Sequence, residues 1–267
     1  MQEEGRSNTA VSYMWVYSTG QYCDQPIRIF EYQPGRNGHY PQKFLNGFKG
    51  YLHTDAYTGY QKVSGVTRCF CWAHLRRKFV DALPSENSCP EVTIPSQGIE
   101  FCNRLFAIEK TLQDLSGEER KAKRLEQAKP VLEAFWAWVD SVKNRAIPKS
   151  KSRDALRYAL NHKEGLMNYL EDGNCSISNN LAENSIRPFT IGRKNWLFSG
   201  SPKGAAASAM VYTIIETAKA NGLNPFTYLK FIFQDLPGTQ FGQYPEFLED
   251  YLPWNPRIQA ICKEGKT

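Results

Sequence analysis

No run of apolar residues in this chain of 267 approaches the roughly 18 needed to cross a bilayer, and the polar start Met1-Gln-Glu-Glu-Gly is no signal peptide. No membrane association is therefore expected, and the cytoplasm is the expected compartment. A Cys-x-x-Cys framework is also missing. The seven cysteines, an odd number, are scattered at Cys23, Cys69, Cys71, Cys89, Cys102, Cys175 and Cys262, which predicts reduced, mostly packing thiols. Nor is there a strong excess of one charge. Thirty-three Lys and Arg against 27 Asp and Glu leave +6, a mild bias toward anionic partners that permits nucleic acid without demonstrating it. What is present is core material: 41% hydrophobic and 13% aromatic residues suffice for one large domain or two modest ones.

Tyr13 to Ser18 is short, aromatic and rich in strand formers, and Pro26 to Tyr32 alternates apolar and charged residues, so an antiparallel pair turning at Thr19-Gly20-Gln21 is expected. Pro41 to Phe48 reads as a brief helix with Phe44, Leu45 and Phe48 on one side. Tyr51-Leu-His-Thr-Asp55 is a third strand. It puts Asp55 where a strand stops and a loop begins, a customary place for functional groups of an α/β sheet, although an Asp that merely starts an Asx turn is equally at home there.

Val66 to Trp72 is a fourth strand, followed by a helix from Ala73 with Leu75, Phe79 and Leu83 on its buried side and His74, Arg76, Arg77 and Lys78 crowding its first turns. Cys69, Cys71 and His74 invite a zinc reading, but no second ligand pair matches them, and packing thiols are the preferred reading. Arg76, Arg77 and Lys78 read either as a solvated face or, near the sheet end carrying Asp55, as phosphate contacts.

Pro84 to Pro95 looks like a linker. Beyond it Phe101, Leu105, Ile108, Leu112 and Leu115, then Leu125, Ala128, Leu132, Phe135, Val139 and Val142, keep helical rhythm on two segments joined at Ser116-Gly117. This predicts a helical hairpin whose second arm bends at Pro130, with Arg120 to Lys129 a solvated charged stretch. A third helix over 152–171 uses Leu156, Leu160, Met167 and Leu170. Helices after Pro202 and Asn224 are predicted to turn Ala206, Met210, Val211, Ile214, Ile215 and Ala218, then Phe226, Leu229, Ile232, Phe233 and Leu236, inward.

The stretch from Ser176 to Gly200 sets one acid, Glu183, in the first turn of a short helix. Asn180 can cap that helix and Pro188 should end or bend it, with Arg187 one turn past Glu183 on the same face and Arg193, Lys194 and Trp196 following. A carboxylate beside these cations suits a divalent metal next to a nucleic-acid backbone. The same residues also serve a plain capping box, with Glu183 bonding back to the Asn180 backbone. Trp196 and Trp72 read as stacking surfaces for a flipped base or as buried aromatics.

Three blocks carry a resemblance: Leu52-His-Thr-Asp-Ala-Tyr-Thr-Gly-Tyr60, Cys71-Trp-Ala-His-Leu-Arg-Arg-Lys-Phe79, and the run from Asn180 to Trp196. With Leu252-Pro-Trp-Asn255 near the end, they resemble the catalytic part of the transposases of the sixty-six family of bacterial insertion sequences. The resemblance implies an α/β, ribonuclease-H-like fold in which a central mixed sheet gathers three carboxylates around Mg²⁺ or Mn²⁺. Asp55 would be the second acid and Glu183 the third. It implies core segments 1–84 and 176–236, a helical insertion 85–175 and a C-terminal extension 237–267. Arg76, Arg77, Lys78, Arg187, Arg193, Lys194 and Trp196 would contact DNA, with a homo-oligomer and accessory proteins of the same element as further partners. In the family the first acid belongs to an Asp-Glu-Thr motif on the first strand, before the segment that Gln2 to Tyr17 resembles. Glu3 and Glu4 do not replace it. The expectation is therefore a truncated transposase lacking that strand and its Asp, with little strand-transfer activity, or an inactive remnant that binds DNA or pairs with full-length transposase.

Overall fold

The structure is a computed structural model describing residues 5–7, 9–84, 92–196 and 199–263, with the side chains of 193, 195 and 196 outside that description. Of the expected linker, Pro84 to Pro95, residues 85–91 lie outside the described residues, as do Glu3 and Glu4, and its end is helical, since a helix capped by Thr93 starts at Ile94. The chain is mixed α/β, with short sheets and many helices. It divides into two compact units, one of residues through Arg36 together with those from Leu181 onward, the other Asn37–Asn180.

In the first unit β1 (Tyr13–Ser18) pairs antiparallel with β2 (Arg28–Gln33), Trp15 opposite Glu31 and Tyr17 opposite Ile29. The expected pair forms, but its connection runs from Thr19 to Ile27 rather than through a tight turn, closed by the Thr19 N–H to the Ile27 carbonyl at 3.2 Å.

The second unit continues with α1 (His39–Phe44), β3 (Gly50–Thr54), β4 (Val66–Phe70) and α2 (Trp72–Val80). Phe44 and Phe48 are exposed rather than buried, because α1 ends before its apolar residues can share a face. Strands β3 and β4 pair in parallel with His53 opposite Cys69. The described residues thus hold two two-stranded sheets where a single central sheet was expected.

Helices α3 (Ile94–Thr111), α4 (Gly117–Lys123) and α5 (Lys129–Val142) make the expected hairpin, and Ser116 caps α4 in a reciprocal box with Glu119. The bend before Pro130 is a π-helical turn, Arg124–Ala128. This turn overturns one expectation. The charged stretch is not solvated throughout, since Arg120 and Arg124 are both buried. The wider turn rotates the face, so Arg124 points inward while Leu125 is exposed.

Arg124 forms a two-pronged pair with Glu109 at 2.7 and 2.8 Å and donates to the carbonyls of Tyr169, Asp172 and Cys175 at 2.8–3.0 Å. Arg120 donates to the carbonyls of Leu112, Gln113, Gly173 and Leu115. Two guanidiniums thereby satisfy the loop carbonyls that helix ends leave open.

Helices α6 (Lys151–Asn161) and α7 (Lys163–Met167) replace the expected third helix, which breaks at His162. Gly165 lies against the Phe70 ring, where any Cβ would collide, so α7 can settle on β4. The core of this unit joins Phe70, Trp72, Leu75 and Phe79 to Leu105, Leu132, Phe135, Val139 and Leu156. Leu83 and Leu160 stay at the surface, beyond the reach of that core.

Helix α8 (Asn180–Trp196) runs through Pro188 instead of ending there, at the cost of the bond that the Asn184 carbonyl would otherwise receive. Helices α9 (Pro202–Ala220) and α10 (Pro225–Asp235) start where the Ser201 and Asn224 caps predict. Their inward faces match expectation in part, with Ala218 buried and Ile214 and Ile232 packed against its cluster. Ala205, Ala209, Thr217 and Ala218 are buried on α9 while Met210 and Val211 are exposed, and Tyr228 is buried on α10 while Phe226 and Phe233 are exposed.

Close approach to β2 explains the α9 choice. The Thr217 hydroxyl accepts from the Arg28 N–H at 3.1 Å and donates to the Arg28 carbonyl at 3.0 Å, and Thr213 accepts from the Phe30 N–H at 2.9 Å. Two threonines one turn apart thus occupy the outer edge of β2, which only small neighbours permit. The chain closes with α11 (Pro256–Cys262), strapped on by Asn224 N–H to the Cys262 carbonyl at 2.8 Å.

Candidate active site

Parallel pairing puts the C-terminal ends of β3 and β4 side by side, with Asp55 following the first strand into a turn and Cys71 following the second into α2. Asp55 is the first residue past β3, as the strand pattern predicts. It is half-buried, and one carboxylate oxygen accepts the Tyr57 N–H at 3.0 Å. The Asx turn weighed against a chemical role is therefore real, and it fixes the carboxylate. Ala56 supports the turn with φ of 64°, a left-handed conformation that a side-chain-bearing residue rarely adopts.

At the end of β4, Cys71 caps α2. Its sulfur accepts the Asn179 N–H at 3.2 Å, and the Trp72 N–H donates to the Ile177 carbonyl at 3.1 Å. The segment leading into α8 is thus anchored at the C-terminal end of the parallel pair. Helix α8 begins at Asn180, the last residue of this unit, and Glu183 stands half-buried in its first turn, as expected. Arg187 and Lys194 are exposed further along. Arg193 and Trp196 belong to the same helix, and their side chains lie outside the described residues.

The basic residues of α2 divide. Arg77 and Lys78 are exposed, and the Lys78 ammonium sits 4.8 Å from the centre of the Tyr158 ring. Arg76 is half-buried and donates to the Asn103 side chain at 2.8 Å, which ties α2 to α3. Trp72 is fully buried, its indole N–H donating to the Leu166 carbonyl at 2.8 Å, so its place is the core and not a stacking surface. Cys69 is likewise buried, 3.9 Å from Cys175, and that contact, with burial adding, pushes its thiol far up, which keeps it protonated.

Two groups beside Asp55 escaped the sequence reading. Tyr158 has a buried hydroxyl without a hydrogen-bond partner, and burial, with Cys71 and Asp55 adding, pushes it up to about 12. Its stacking on His162, four residues on, was visible as spacing alone. His53 has a buried Nε2 without a partner. Burial lowers it to about 4, with His74 adding and the Phe70 backbone opposing. Folded His53 thus stays neutral where the unfolded chain, near 6.5, takes up a proton. Stability is complete above about pH 6.5 and declines as pH falls toward 4, by on the order of 3 kcal/mol. Urea midpoints compared across that window for wild type and His53→Phe should show a shallower slope in the variant.

A hard divalent cation takes oxygen donors, and Asp55 and Glu183 are of that type. Among the described residues no three His, Cys, Asp or Glu side chains are grouped to hold a metal ion. No helix among them is long and apolar enough to cross a membrane.

The sequence model described as the transposase IS66 family matches residues 1–207, and the IS66 C-terminal element matches 213–254. The chain belongs to the IS66 transposase family. Relatives include two uncharacterised proteins of Sinorhizobium fredii. One, y4hP, is 29% identical over 94% of this chain and 48% of its own length; the other, y4qI, is 30% identical over 96% and 49%. The chain spans about half the length of these relatives. No solved structure matches it.

Proposed function

We propose that this IS66-family chain acts in DNA transposition through a ribonuclease-H-like site in which Asp55 and Glu183 hold Mg²⁺ or Mn²⁺. The observation that carries this reading is the arrangement at the C-terminal end of the β3–β4 pair. Asp55 is fixed there by its own turn, and the segment that opens the Glu183 helix is fixed there by Cys71 and Trp72. Such ions, when bound, activate an oxygen nucleophile and offset charge on the leaving oxygen of a phosphodiester. Asp55 and Glu183 would offer carboxylate oxygens as hard ligands. Arg77, Lys78, Arg187 and Lys194, all exposed, offer cations to the DNA backbone, so affinity should fall with salt as counterions are released. A homo-oligomer and accessory proteins of the same element are the expected assembly.

Titration calorimetry with Mg²⁺ and Mn²⁺ tests the reading. Binding to wild type that disappears in both Asp55→Ala and Glu183→Ala is the expected result. Absent binding, or binding untouched by either substitution, would defeat it and favour a DNA-binding or transposase-pairing role without catalysis.

A further inference from the structure

Trp254, of the Leu252-Pro-Trp-Asn255 motif, lines a cavity of about 530 Å³ within the first unit, between the β1–β2 connection, the end of α9 and α11. That volume falls in the ~300–1,000 Å³ range of small-molecule sites and is far roomier than an inorganic anion needs. Its walls are tied together. Asn221 donates to the Pro26 and Thr217 carbonyls at 2.8 Å, and Gln259 donates to the Asn221 and Pro253 carbonyls at 3.0 and 2.7 Å.

Two side chains on those walls are left without the partners such groups normally find. Arg28, more than nine-tenths buried, forms no ion pair among the described residues, although Cys23 and the Glu216 carboxylate lie within electrostatic reach. Its Nη1 donates to the Ile27 carbonyl at 2.8 Å and to Thr19 at 3.5 Å, which leaves Nε and Nη2 uncommitted. A buried guanidinium that no carboxylate bonds directly is costly unless something anionic completes it. Trp254, half-buried on the same cavity, makes no ring contact and no indole hydrogen bond among the described residues. An open indole face and a buried guanidinium match a planar heterocycle carrying a phosphate. Asp24 at the cavity wall would turn the phosphate away from itself toward Arg28 and accept hydrogens from a base amino group.

We infer that this cavity is a nucleotide pocket taking one unstacked deoxynucleotide of a DNA strand, its base against Trp254 and its phosphate toward Arg28. The DNA source rests on the proposed function, whereas the chemistry is shared with a free nucleotide, and two arms of one experiment separate them.

Anisotropy would compare a fully paired duplex with the same duplex carrying one unpaired adenine, and saturation-transfer NMR would monitor free dAMP. The expected result is a preference for the bulged duplex of about tenfold. That preference should vanish in Trp254→Ala, persist in Trp254→Phe, and weaken in Arg28→Gln, with circular dichroism confirming that each variant is folded. Equal affinity for both duplexes with no dAMP signal, or a preference that survives Trp254→Ala, overturns the pocket while leaving DNA binding intact. A Trp254-dependent dAMP signal without binding of either duplex supports the pocket chemistry and overturns its DNA source, and the transposition reading with it.

Discussion

Arg124→Met should lower the unfolding free energy of the Asn37–Asn180 unit by about 3–5 kcal/mol, since it strands Glu109 as a buried carboxylate without its cation. Methionine fills much of the space, so the loss is electrostatic rather than a cavity. Adding Glu109→Leu removes the stranded charge and should recover part of the loss. Recovery stays incomplete, because the carbonyls of Tyr169, Asp172 and Cys175 lose their donor as well. Urea unfolding followed by far-UV circular dichroism measures both. A single variant within about 1 kcal/mol of wild type would mean that the π-helical turn does not depend on this guanidinium.

Trp72→Ala should cost a similar ~3–5 kcal/mol, here by emptying the core. The indole is fully buried, packs edge-on against Phe135 with centroids 5.3 Å apart, and bonds the Leu166 carbonyl. Trp72→Phe keeps most of the volume and gives up that bond, so a loss of about 1–3 kcal/mol is expected. DNA affinity of Trp72→Phe, measured under conditions where it is folded, should equal that of wild type. A selective loss of affinity without loss of stability would restore the stacking role that burial argues against.

The elements that the sequence announced are those with one dominant local signal. Alternation located β1 and β2, and the strand-to-loop change located Asp55. The four-three rhythm located α3 and α5, where Leu105, Leu112, Leu132, Phe135 and Val139 are buried as the pattern requires. The misses share a physical cause, a tertiary partner that no local pattern encodes. Arg120 and Arg124 lie in a stretch whose charge density reads as solvated, and the Glu109 carboxylate together with the carbonyls contributed from residues 112–115 and 169–175 makes their burial favourable. On α9 bulk was taken as the mark of the inner face, but the neighbour is a strand backbone that needs hydroxyls and small residues. Pro188 interrupts one bond of α8 and leaves the helix intact. Tyr158 comes within electrostatic reach of Asp55 through the fold, a proximity the linear order does not carry.

The threonines of α9 set a timetable for synthesis. Arg28 and Thr217 are separated by 189 positions, whereas Asn37–Asn180 is one continuous stretch. At 5–20 residues per second, the β1–β2 ribbon emerges roughly 10–40 s before the hydroxyls that will occupy its outer edge. The middle unit can fold on the ribosome during that interval, while the ribbon waits with an open edge for a helix not yet made. The first unit is therefore where a stalled or prematurely ended chain would begin to aggregate.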